Sequence, residues 1–87
     1  MSNRTADQDL ATHRVTAASL RQRMGDAAAS IAETEEWVAD TLERLARARP
    51  HDAARLRSRA AHARDFAAQQ RARATAYGAG CGDLRSG

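Results

Sequence analysis

The sequence predicts an all-α protein, an antiparallel helical hairpin whose two long helices pack in coiled-coil fashion. Three observations carry this expectation. Leu10, His13, Ala17, Leu20, Met24, Ala27, Ile31, Thr34, Val38, Thr41, Leu45 and Ala48 recur at steps of three and four, the 3.5-residue beat of a coiled-coil seam. A second, narrower series runs through Ala53, Leu56, Ala60, Ala63, Ala67, Gln70, Ala74 and Tyr77, with Phe66 on its flank. Between the two stands Pro50, the single proline of the 87 residues, and a proline pushes the residue before it out of helical geometry.

The first helix is expected over 6–48. Thr5 and Gln8 have the spacing of a capping box, with Asp7 and Asp9 in the opening turn, where the helix dipole favours negative charge. Arg44, Arg47 and Arg49 give the last turns the favourable opposite sign. Gly25 is the one weak point, since glycine costs about 1 kcal/mol against alanine inside a helix. Read as an outward-facing position it is tolerated; read as a break near Gly25 and Asp26 it makes the fold three-helical. After a turn at 49–50, the second helix is expected over 50–77, with Pro50 at its first position and Gly78 and Gly80 ending it. Residues 1–5 and 78–87 then read as a disordered N-terminal tail and a flexible glycine-rich tail.

So short a connection folds the helices antiparallel, in a register where facing residue numbers sum to about 100. That register sets Met24, Ile31, Val38 and Leu45 on the alanines of the second helix. It also places Glu35 opposite Arg64, Arg44 opposite Asp52, and Trp37 between Arg59 and Phe66. On the same geometry Asp26, Glu33, Glu36, Asp40 and Glu43 point away from the second helix. The second helix is the shorter one, so residues 6–21 are left without an intramolecular partner although the stripe continues through them.

That overhang sets the functional expectation: a non-catalytic protein-interaction or oligomerisation module. Its surface is Leu10, His13, Ala17, Leu20 and Met24 with Tyr77, and its partner is a second copy in an antiparallel homodimer or another helical protein. Twenty-two residues are alanine, so large apolar side chains are few and a partner is the natural source of further burial. His13 on the seam reads as a polar residue that fixes register, or as a pH-sensitive contact.

The alternative is a small nucleic-acid-binding protein. All 14 basic residues are arginine and the net charge is +3, with Arg57, Arg59, Arg64, Arg71 and Arg73 as the candidate contacts. Against this stand the acidic block over 26–43, the absence of aromatic residues among the arginines, and a codon bias of the GC-rich bacterial type that supplies arginine without selection for binding.

An enzyme is not expected, because no nucleophile stands beside a base and no glycine-rich loop follows a strand. Glu33 with Glu36 and His62 with Asp65 share helix faces but lack the spacing of a metal site, so neither metal nor cofactor is expected, and no small-molecule substrate. The single Cys81 fits a reducing cytoplasm. No stretch is long and apolar enough to enter a membrane.

Overall fold

A computed structural model describes residues 2–86. Helix α1 spans Ser2–Ala48, a 3₁₀ turn spans Pro50–Asp52, and helix α2 spans Ala53–Ser86. The two helices lie antiparallel in a rod whose principal extents are 75 × 20 × 13 Å. Arg49 leaves the helix at φ −129°, ψ 80°, ahead of Pro50 at the first position of the turn. The break is still hydrogen-bonded: Arg49 N–H donates to the Leu45 carbonyl at 2.9 Å and Asp52 N–H to that of Arg49 at 3.0 Å. Asp52 forms an ion pair with Arg55 at 3.6 Å, so it does not reach Arg44, whose Nη2 donates to Thr41 Oγ1 at 3.2 Å.

Both helices outrun the bounds expected of them. Helix α1 starts at Ser2, so Thr5 lies inside it and cannot cap it. Helix α2 passes through Gly78 and Gly80 to Ser86. A glycine terminates a helix by turning left-handed, and among the described residues no glycine has a positive φ. Helix α1 is also unbroken at Gly25.

The seam of α2 lies where its periodicity puts it. Leu56, Ala60, Ala63, Ala67 and Gln70 are buried, and Ala53, Ala74 and Tyr77 half-buried. The seam of α1 is displaced by one residue. The side chains turned inward are Ala28, Ala32, Ala39 and Ala46, all buried, with Ala18, Gly25, Glu35 and Leu42 half-buried among them. Ala18, Gly25, Ala32, Ala39 and Ala46 stand seven apart, as do Ala53, Ala60, Ala67 and Ala74 on α2, so a small residue recurs every second turn on both sides of the contact, with Leu56, Gln70 and Tyr77 spaced between those of α2. Such a pair brings the axes to the short end of the roughly 8–10 Å range of helix packing, and a large side chain has no room in the middle. Ala32 and Ala39 retain no exposure. Around Ala39, Ala60 and Ala63 the larger Val38 and Leu42 pack only along the rim.

Gly25 belongs to this seam and faces α2, contrary to its reading as an outward position. A methyl group there would stand 3.4 Å from Tyr77 Cβ and 3.7 Å from the Ala74 carbonyl oxygen, which is ordinary contact. Gly25→Ala is therefore expected to stabilise the hairpin by about 0.5–1 kcal/mol, from helix propensity and a stiffer unfolded chain. Thermal unfolding followed by circular dichroism should show a rise of several degrees. A fall would mean that the helices are closer at this point than the structure shows.

Candidate functional site

The one-residue rotation of α1 gives the hairpin two unlike edges. On one edge α2 presents Arg64 and Arg71 to the acidic block of α1. Arg64 Nη2 lies 3.1 Å from Asp40 Oδ1 and 2.8 Å from Glu43 Oε2. Arg71 Nε donates to Glu36 Oε1 at 3.1 Å, and its Nη2 donates to the same carboxylate. Glu36, Asp40 and Glu43 thus face α2 rather than away from it, and Arg64 pairs with Asp40 and Glu43 rather than with Glu35. The hydrogen bonds from Arg71, reinforced by its charge, hold the Glu36 carboxyl below its ordinary range. Reciprocally, Glu36 raises Arg71, and Glu43 and Asp40 raise Arg64. These pairs are exposed, so they choose the rotation of the helices more than they hold the fold together.

The opposite edge is apolar and open. Met24, Ile31, Val38 and Leu45 line it at seven-residue spacing on α1. Arg59, Phe66 and Arg73 line it at the same spacing on α2. Two shallow grooves result. One is bounded by Met24, Ala28 and Ile31 against Gln70, Arg73 and Tyr77; the other by Glu35, Val38 and Leu42 against Arg59, His62 and Phe66. Trp37 stands away from both, on the outer side of α1 with 65% of its surface exposed, and so is not held between Arg59 and Phe66.

Among the residues expected to bind a partner, Leu10, Leu20 and Met24 are about half exposed, between 49% and 55%. His13 and Ala17 are exposed as well. Tyr77 differs from them, being half-buried between the helices beside Gly25. Periodicity alone did not single out Val15, Ile31, Trp37 and Phe66 as surface residues, yet each is more than 40% exposed. From residue 5 to 17 every side chain of α1 is exposed. The register that sets Gly25 beside Tyr77 brings Ser86, nine residues further, near residue 16. The uncovered part of α1 is therefore shorter than residues 6–21, but the apolar row is longer, because it continues down the open edge past Ile31.

The arginines weighed as nucleic-acid contacts do not share one face. Arg64 and Arg71 are engaged with carboxylates on the charged edge, while Arg59 and Arg73 border the grooves of the open edge. Glu33 and Glu36 are likewise separated in role, since Glu36 is tied to Arg71, and His62 faces the groove while Asp65 is exposed. Among the described residues no three potential metal ligands converge, and no described helix is long and apolar enough to cross a membrane. Comparison with known proteins supplies no relative: no family model, no curated protein and no solved structure matches the chain.

Proposed function

We propose that this chain is a non-catalytic helical association module that works by docking a partner helix on the apolar row of α1. One observation carries the reading. The two helices satisfy each other through alanines, and the large side chains Leu10, Leu20, Met24 and Ile31 are left half exposed in a continuous row beside that contact. A monomer seldom keeps so long an apolar row at coiled-coil spacing in water. The charged edge, by contrast, is already matched within the chain, so the open edge is where a second surface gains most. A helical partner, either another copy or a different protein, fits a straight stripe better than a globular knob or a small ligand does. Work in the cytoplasm accords with the single cysteine.

Leu20→Glu tests the reading. It sits where the row is exposed and α2 makes no use of it, so the variant should keep the helicity of the hairpin and lose association in sedimentation experiments. A wild-type chain that stays monomeric through the high micromolar range, both alone and in extract of its native host, would remove the reading.

A further inference from the structure

We propose that the occupant of the row is a second copy of this chain, its α1 laid antiparallel on the first about a two-fold axis beside residue 29. The inference rests on the association reading above and supplies its partner and register.

The row and α2 lie on neighbouring faces of α1, about 100° apart, which is the angle of one residue step. Both can be occupied at once. In the proposed register facing residue numbers sum to 58: Leu10 lies on Ala48 of the second copy, Met24 on Thr34 and Ile31 on Ala27, while Leu20 meets Val38 and His13 meets Leu45. The pairs of a large with a small residue interdigitate, and Leu20 on Val38 adds an apolar contact between them. The contact runs from residue 10 to residue 48, about 58 Å at 1.5 Å per residue, and carries each uncovered N-terminal segment across the other copy's turn.

The flanks and the extent of the apolar row together set this register against its rivals. In an antiparallel pair like flanks face each other, so Arg21 falls beside Glu35 of the second copy and Arg23 beside Trp37, each twice by symmetry. The first is an ion pair. The second places a guanidinium on the face of the most exposed aromatic ring among the described residues. Sliding one heptad further along sets Arg23 beside Arg44. Sliding the other way carries Leu45 and Ala48 past Leu10, beyond the apolar row, onto Ala6 and residue 3, and moves Trp37 from Arg23 to Thr16, although Arg14 then falls beside Glu35. A parallel pair is worse in charge, because residues 26–43 hold six carboxylates and no arginine, and it stacks these blocks level with each other. The antiparallel pair instead draws Arg21 and Arg23 of each copy alongside the other's block.

Disulfide trapping in a Cys81→Ser background tests the register. Ser30 is exposed and lies next to the two-fold axis, so Ser30→Cys should oxidise to a covalent dimer with copper phenanthroline at least tenfold faster than Thr16→Cys. Thr16, on the same flank, is about 21 Å from the axis, and Thr16→Cys should cross-link only when mixed with Arg44→Cys. Equal self-trapping at Thr16→Cys would show a parallel pair and overturn the register. A chain that associates without trapping at Ser30→Cys would overturn it too, leaving the association reading intact. A chain that is monomeric alone but bound in host extract would replace the second copy by a different protein.

Discussion

Replacing Ala39 by leucine is expected to cost the hairpin about 1–3 kcal/mol or more, the range for overpacking a close-packed site. Ala39 has no exposed surface and lies against Ala60 and Ala63. Three added carbons can be housed only by driving the helices apart, which strips contact from the alanines above and below. A hairpin with so thin a core has little reserve, and each kcal/mol shifts the melting temperature of a domain this size by about 4–8 °C. The informative partner is Ile31→Ala. Truncating a core isoleucine costs about 2–5 kcal/mol, but Ile31 is 43% exposed, so in a dilute, unassociated chain its loss should cost well under half of that. Melting curves for both variants at low concentration check the pair. If Ile31→Ala proves the more damaging, the large residues rather than the alanines line the contact between α1 and α2.

Leu20→Glu is expected to weaken association by about 2–4 kcal/mol, or roughly 30- to 1000-fold in Kd. In the proposed dimer Leu20 lies on Val38 of the second copy and near its Glu35. A carboxylate there is desolvated without a partner and meets a like charge. Because Leu20 is 51% exposed in the hairpin, helicity and melting of the dilute chain should barely change. Sedimentation equilibrium against the wild type separates the two effects. A loss of helicity comparable to the loss of association would show that Leu20 serves the fold of the single chain.

Much of this architecture is legible in the residues. Pro50 places the turn because its ring forbids the preceding residue helical geometry, and Arg49 obeys. The α2 seam faces α1 as its spacing says, buried from Leu56 to Gln70 and half-buried at Ala53, Ala74 and Tyr77. On α1 two stripes one residue apart both keep the three-four step. The larger side chains of Met24, Ile31 and Val38 draw the eye to one, while α2 packs on the other. The discriminating signal is the small residue at every seventh position, from Ala18 to Ala46, matched by the same interval on α2. Once that phase is set, the remaining differences follow: Glu36 and Asp40 turn toward the arginines of α2, Glu35 joins the apolar edge, and Trp37 is carried outward. The end of α2 was not legible for a separate reason. Glycine lowers helix propensity by about 1 kcal/mol but stops a helix only when its backbone turns left-handed, and Gly78 does not.

For the candidate site, Leu10 is open because α2 is the shorter helix, which the two lengths foretold, whereas Leu20 lies within reach of α2 and is open because the rotation of α1 turns it aside. The site's extension along the hairpin edge to Ile31 depends on the rotation and is visible only in three dimensions.

The most direct measurement is hydroxyl-radical footprinting of the purified chain over a range of concentrations. Met24 and Ile31 should react readily when the chain is dilute and become protected as concentration rises, while Leu56, buried between the helices, stays protected throughout. Protection of Met24 and Ile31 at every concentration would place them in the hairpin's own core and contradict the account, and so would reactivity that no concentration or partner suppresses.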